Sequence, residues 1–211
     1  MTEEEIIAKA KTILNETGDE EEFSLLSEDT VKIEDYITAA IPEAVTNAQR
    51  VSVSRPVNVK SGDDVSSSLT PDSDGCCILD LPDDFVLLRA LKLSTWKRAC
   101  TTVYPFGSEE YLRQCNEYTR AGTYKPVVIA GQDSSGGRQL WLYSSSEDAT
   151  VDLFNYEAIY EEGNGISADA NDPAALGVCY LVAALVYDIF ENSDTAQKLR
   201  SVAVDLLSQQ P

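Results

Sequence analysis

The sequence predicts an α+β protein: helical pairs at the two ends, about residues 2–49 and 173–208, pack together, and an antiparallel β module, about residues 76–160, is inserted between them. Three observations predict it. From Cys76 to Tyr160, apolar runs of strand length alternate with separators rich in Gly, Ser and Asp, as hairpin and loop connections require. At both ends, apolar residues recur at helical spacing behind capping residues. No internal repeat interrupts the order αα, β, αα. The expected layout is a helical layer from residues 1–50 and 172–211, a linker or contact loop over 51–75, and an antiparallel β module with one short helix over 76–162.

Thr2 opens the first helix with Glu5 three residues on, the spacing of a capping box, and Ile6, Ala10, Ile13 and Leu14 follow on one face. The polar and acidic stretch from Asn15 to Glu22 ends it. Ser27 to Thr30 supplies two caps for a second helix, whose apolar stripe runs from Val31 and Ile33 to Val45 and Ala48. Pro42 falls inside that stripe and predicts a kink, or a division near Ala40. Val51 to Ser54 reads as an edge strand stopped by Pro56, and Lys60 to Gly75 as a loop that is either disordered or a contact arm.

In the β module, Asp83-Asp84 separates Leu79–Pro82 from Val86–Leu93, and Gln132–Gly137 separates Val127–Ile129 from Leu140–Leu142. Val151 to Tyr156 alternates apolar and polar residues except at Leu153-Phe154, the pattern of a strand with one wet face. A short helix runs from Ser108 to about Tyr118, before Gly122 and Pro126. Gly163 to Asn171 is a polar connection, and Asp172-Pro173 then caps a helix with proline at its first position. Ala174 to Phe190 is apolar nearly all round, which places it centrally in the core or in a subunit interface. Asp194 with Gln197 opens the final helix, with Ala196, Leu199, Val202, Ala203, Leu206 and Leu207 on one side.

Composition excludes several roles. Sixteen basic against 36 acidic residues give a net charge of −20, the wrong sign for neutralising phosphates or for docking on an anionic membrane. That charge suits a soluble protein, or the wall of a passage that a polyanion must traverse without sticking. The five cysteines form no CxxC pair, and Thr2 to Glu5 is acidic where a signal peptide is basic; reduced thiols in the cytoplasm are expected. The longest uncharged apolar run, Ala174 to Tyr187, is 14 residues and too short to span a bilayer, so no membrane association is expected.

The chain has no histidine, which removes Ser-His-Asp and Cys-His catalysis and every histidine metal site. Gly131 to Arg138 has the outline of a phosphate-binding loop, but Gly137 stands where Lys is needed and Arg138 where Ser or Thr is needed; a hairpin turn is the better reading. Asp72 to Gly75 resembles the middle of a calcium loop, yet Leu81 occupies the position of its closing Glu. Asp83-Asp84 reads as a solvated turn rather than an acid–base pair. Cys76-Cys77, being adjacent, makes poor metal-ligand spacing and is read as packing on one buried face. No catalytic, cofactor or metal site is therefore expected, and no carboxylates are spaced for a magnesium-dependent nuclease. Lys92, Lys97, Arg98 and Arg113 concentrate the positive charge of the middle of the chain; they face either an acidic neighbouring subunit or solvent. The aromatics Trp96, Tyr104, Phe106, Trp141, Tyr143, Phe154 and Tyr156 read as core and subunit contacts rather than base-stacking groups. From these and the long apolar helix, the expected interface residues are Trp96, Lys97, Arg98, Tyr104, Phe106, Tyr180 and Tyr187.

The order of motifs resembles that of the head–tail connector (adaptor) proteins of tailed bacteriophages. The Leu81–Phe85 segment (LPDDF) entering the β module carries the resemblance. So do the Pro126–Ile129 strand with its aromatic-rich partner Leu140–Tyr143, the strand ending near Tyr156, and the Ala-rich closing helix Ala174–Tyr187. The chain departs from that pattern after Tyr143, where Ser144-Ser145-Ser146 stands in place of a frequent proline, and in the Lys60–Gly75 loop. The resemblance implies a structural virion protein, assembled in the host cytoplasm. Copies would form a ring, typically of about twelve, by closed symmetry. That ring would bind beneath the portal protein, meet downstream tail or ring proteins, and pass viral DNA through an acidic lumen without binding it specifically. The alternative expectation is a soluble acidic protein that mimics DNA toward a host nucleic-acid-binding factor.

Overall fold

The computed structural model describes residues 1–17, 32–52, 54–62, 69–72, 75–116 and 118–209. The chain divides into two compact units, Met1–Val59 with Ile159–Pro211, and Lys60–Ala158. The first is helical and is built from both ends of the chain; the second holds nearly all of the strands, confirming the α+β class.

In the helical unit, α1 spans Glu3–Thr17 and α2 spans Ile33–Val51. The two long C-terminal helices of this unit are Pro173–Ile189 and Ser193–Ser208. The predicted capping box closes α1: Thr2 N–H donates to Glu5 Oε2 at 2.9 Å, and Glu5 N–H to Thr2 Oγ1 at 3.2 Å. The caps expected at Ser27 to Thr30 lie outside the described residues; α2 follows Lys32, whose N–H donates to Asp35 Oδ2 at 3.2 Å. Pro42 neither divides nor ends α2, which continues nine residues past it. Pro42 lies on an exposed face, while Ile37, Ile41, Ala44, Val45 and Ala48 are buried, and that tertiary burial outweighs the lost hydrogen bond. Val51, expected to begin an edge strand, is instead the exposed last residue of α2, and Ser52 N–H caps the helix by donating to Ala48 O at 2.8 Å.

Asp172 caps the Pro173–Ile189 helix as predicted, accepting from Ala174 N–H at 2.8 Å. This helix packs against α1, α2 and the Ser193–Ser208 helix, so its apolar surface is covered by its own chain; Ile189 in its last turn is exposed. Of the two expected places, the core of its own unit and a subunit interface, the helix takes the first, and a neighbouring copy is not needed to bury it. Gly177 permits the closest approach, since a Cβ there would lie 2.9 Å from Leu207 Cγ. The final helix is capped by Asn192, which accepts from Thr195 N–H at 3.2 Å, two residues before the expected Asp194. The Gly163–Asn171 connection, expected to be only polar, buries Ile166 and Ala168.

The second unit contains two sheets. Strands β1 (Val59–Ser61), β8 (Val151–Ala158) and β4 (Phe85–Leu93) form one, in the order β1-β8-β4. The other has the order β2-β3-β7-β6-β5, with β2 at Leu69–Pro71, β3 at Cys76–Asp80, β5 at Val103–Tyr104, β6 at Val127–Gln132 and β7 at Arg138–Tyr143. The stretch expected as a linker or contact loop thus supplies β1 and β2. The module is also not purely antiparallel, because β5 runs parallel to β6. The short helix α3 occupies Glu109–Gln114, with Ser108 Oγ accepting from Tyr111 N–H at 3.3 Å. Numbered in chain order, the two C-terminal helices are therefore α4 and α5. One core joins the sheets: Leu88, Leu91, Phe154 and Tyr156 on one side, Leu79, Val128, Leu140 and Leu142 on the other.

Strand β8 alternates as predicted until Tyr156, then buries Tyr156, Glu157 and Ala158 in succession. Glu157 is wholly buried and binds Arg89 through Nε at 2.8 Å and Nη2 at 2.6 Å. A buried carboxylate needs such a partner to offset its lost hydration.

Candidate functional site

Among the described residues, a groove of about 650 Å³ lies within the second unit, walled by Phe85, Val86, Leu87 and Leu88 on one side and by residues of β6 and β7, including Ala130 and Trp141, on the other. Its construction begins at the turn before β4. Phe85 N–H donates to Pro82 O at 3.1 Å, closing the Leu81–Phe85 segment into a tight turn. Arg138, at the start of β7, clamps that turn from outside. Its Nη1 donates to Phe85 O at 2.8 Å and its Nη2 to Asp83 O at 2.9 Å, with a longer contact to Pro82 O at 3.5 Å. Three carbonyl groups thus occupy a guanidinium whose planar fork suits several acceptors at once.

Asp84 fastens the same turn inward, accepting from Lys60 Nζ at 2.8 Å and Tyr156 Oη at 3.0 Å. Burial works to raise its carboxyl, but the lysine and the tyrosine hydroxyl outweigh it and hold the group below the usual carboxylate range. Asp84 thus fastens the turn through Lys60 and Tyr156 as well as through its own backbone amide, where the sequence predicted only side-chain to backbone bonds.

Register shifts between Phe85 and Leu87 and between Leu88 and Ala90 shape the groove's first wall. Bulges of this kind turn consecutive side chains out of strict alternation. Val86 and Leu87 are both exposed in consequence, although one of two successive strand residues normally faces inward. On the opposite wall the Phe106, Tyr111 and Trp141 rings meet, with centroids 4.5 Å apart for Phe106–Tyr111 and 5.5 Å, at 88°, for Phe106–Trp141. The Trp141 indole lies on Gly131, where a Cβ would fall 2.6 Å from Nε1, and that buried N–H has no hydrogen-bond partner.

The other sequence candidates resolve as follows. Gly131 to Arg138 is the β6–β7 hairpin, with Asp133 N–H donating to Gly137 O at 2.9 Å and Asp133 Oδ1 accepting from Gly137 N–H at 2.6 Å. Hydrogen bonds from the Ser135 hydroxyl and the Gly137 amide hold the Asp133 carboxyl below its ordinary range. Cys76 and Cys77 are both buried, not one of them; burial, with Asp72 adding to it, pushes the Cys76 thiol up to about 12. Burial likewise raises Cys179 to about 12, which keeps it an inert thiol. Among the described residues, no group of His, Cys, Asp and Glu is placed to hold a metal ion.

The expected interface residues separate. Trp96 and Tyr187 are core residues: Trp96 Nε1 donates to Ser144 O at 3.1 Å, and Tyr187 Oη to Leu14 O at 3.2 Å. Neither has surface left for a partner, because each polar tip found a carbonyl inside its own unit. Tyr104 and Tyr180 are half-buried, while Lys97, Arg98 and Phe106 are exposed. Lys92 pairs with Asp152 at 3.0 Å and Arg113 with Glu109 at 2.6 Å, so both have acidic partners in their own chain. Phe106 is the expected residue that reaches the groove. Sequence reasoning missed Val86, Leu87 and Arg138; the broken alternation of Val86-Leu87-Leu88 was the available signal.

The serines that replace the expected proline have a conformational reason. Ser144 has φ of 67°, which proline cannot adopt, and Ser145 N–H donates to Gly75 O at 3.1 Å, a bond proline could not make.

Compared with known proteins, the chain matches no family model and no curated relative. No helix of the described residues is long and apolar enough to cross a membrane.

Proposed function

We propose that the protein is a structural component of a tailed-phage virion, a head–tail connector whose copies assemble into a ring under the portal and continue the DNA channel toward the tail. The reading stands on the order of motifs from Leu81–Phe85 to Ala174–Tyr187. One surface observation supports it most. Leu112, Tyr118 and Tyr124 are 60%, 94% and 68% exposed, all in the segment between β5 and β6. Large apolar side chains left in water on one segment suit a contact between copies, and on a chain of charge −20 such groups would offset mutual repulsion. The buried α4 lends no support to this reading, since its own chain covers it. The acidic excess suits a lumen wall along which DNA slides.

Electron microscopy of the purified protein, alone and mixed with a portal, is expected to show closed rings, and Tyr118→Asp combined with Leu112→Glu is expected to abolish them while leaving a folded monomer. A monodisperse wild-type monomer that ignores portal, but recovers a nucleic-acid-binding host protein, would replace this reading with that of an acidic DNA mimic. Exchanging several surface Asp or Glu for Lys should slow DNA passage; unchanged packaging and ejection would remove the low-friction role.

A further inference from the structure

The groove on the β module is bordered by two strand edges that lack a strand partner among the described residues. Strand β4 pairs with β8 along one edge; on the other, its backbone partner is Cys100, opposite Leu91, which leaves Val86 to Leu88 uncovered. Strand β6 pairs with β7 throughout, but β5 covers it only at Val128 and Ile129. Since Asp133 N–H already bonds across the hairpin, alternation turns the backbone groups of Gln132 to the outer edge. Both uncovered stretches line the groove. Edge strands that must remain single are guarded by charge or proline. Phe85-Val86-Leu87-Leu88 and Ala130-Gly131-Gln132 carry neither.

We propose that this groove receives an extended segment of a different protein, apolar at alternate positions and flanked by Lys or Arg, which adds backbone hydrogen bonds to the open edges of β4 and β6. Strand addition takes its affinity from main-chain bonds and its selectivity from pockets for alternate side chains. Val86, Leu87, Phe106 and Trp141 supply the apolar contacts. The sign of the flanking charge follows from the turn end of the groove, where Asp80, Asp83 and Asp133 stand beside its lining residues. The cation there, Arg138, is committed to backbone carbonyls, and Lys60 to Asp84. A second copy of this chain would bring the same acidic surface and a charge of −20 of its own, so like charge disfavours it as occupant. The inference rests on the reading of this unit as an assembly surface, but its test does not depend on ring formation.

The probe is a synthetic panel of peptides with Val, Ile or Phe at alternate positions, capped at both ends by Lys, alongside the same panel capped by Glu. Fluorescence anisotropy with the full-length protein is expected to show the Lys-capped members binding about tenfold more tightly at low salt, with the difference shrinking as salt screens the ends. Amide exchange should slow within Val86–Leu88 and at Gln132 when the Lys-capped peptides bind. Leu87→Lys, at an exposed position, should weaken binding about tenfold without unfolding the protein, and Phe106→Ser is a second variant with the same expectation. Failure of every Lys-capped peptide to bind overturns the proposal, as does equal affinity of the two panels or protection that falls elsewhere. Protection of these same amides in the protein alone, growing with its concentration, overturns it in favour of a second copy. Because these readouts use the binary peptide complex, their failure leaves the ring reading standing, and absence of rings leaves the groove standing.

Discussion

The helical unit and the β unit bury their residues by different means. In the helical unit, α4 is surrounded by α1, α2 and α5, the core is mostly aliphatic with Tyr160 and Tyr187 in it, and the exposed large apolar residues among those described are the aliphatics Val51, Ile159, Ile189, Val202 and Val204. The β unit seals an ion pair, Arg89–Glu157, inside its core and leaves the Trp141 indole N–H without a partner. It also exposes Phe106, Tyr118 and Tyr124. A helix satisfies its backbone internally and needs only its stripe covered, whereas a sheet ends in edges that something else must satisfy. The comparison teaches that one unit covers its longest helix with its own chain, while the other leaves strand edges and aromatic side chains in solvent.

Two probes separate the halves, because both tryptophans, Trp96 and Trp141, lie in the β unit while the long helices lie in the other. The largest effect is expected from Glu157→Ala, which takes from the Arg89 guanidinium its fully buried carboxylate partner; loss of one partner of such a pair costs about 3–5 kcal/mol. Urea unfolding followed by tryptophan fluorescence should show that loss, with the helical circular dichroism transition moving less. If both signals shift together, the halves do not unfold separately. Gly177→Val reverses the experiment. Its side chain would press on Leu207, and overpacking of this kind costs about 1–3 kcal/mol, read in the helical signal first.

A smaller effect, about 1 kcal/mol, is expected for Asp84→Asn, which breaks a partly exposed network with Lys60 and Tyr156. The pH dependence carries a definite sign. The folded carboxyl titrates below its unfolded value, so the stabilisation is complete above about pH 4 and fades as pH falls through the lower folded pKa. Wild type and variant should therefore differ most at neutral pH and converge in acid. The smallest effect belongs to Phe106→Ser: at 61% exposure its loss should change stability by no more than about 0.5 kcal/mol. A large loss of stability would mean that the ring closes the fold rather than offering a contact.

The helical termini were the most legible parts of the sequence, because their signals are local. Thr2 with Glu5 and Asp172 with Pro173 announce their caps within four residues, and both caps formed. Pro42 misled because its cost is local while the burial that overrides it comes from helices distant in sequence. The groove was less legible. Trp96 and Phe106 are both aromatics flanked by turn residues, yet one ring is 2% exposed and the other 61%.

By itself the sequence determined the fold class, the αα, β, αα order and the starts of the capped helices, since periodicity and capping are written in neighbouring residues. It also removed histidine-based chemistry outright. Only the tertiary structure decided that α4 is covered by its own chain, that Arg138 closes the Leu81–Phe85 turn, and that β4 and β6 leave open edges around one groove. The reason is physical: burial and strand pairing depend on contacts between residues tens of positions apart, and no local pattern encodes which partner arrives.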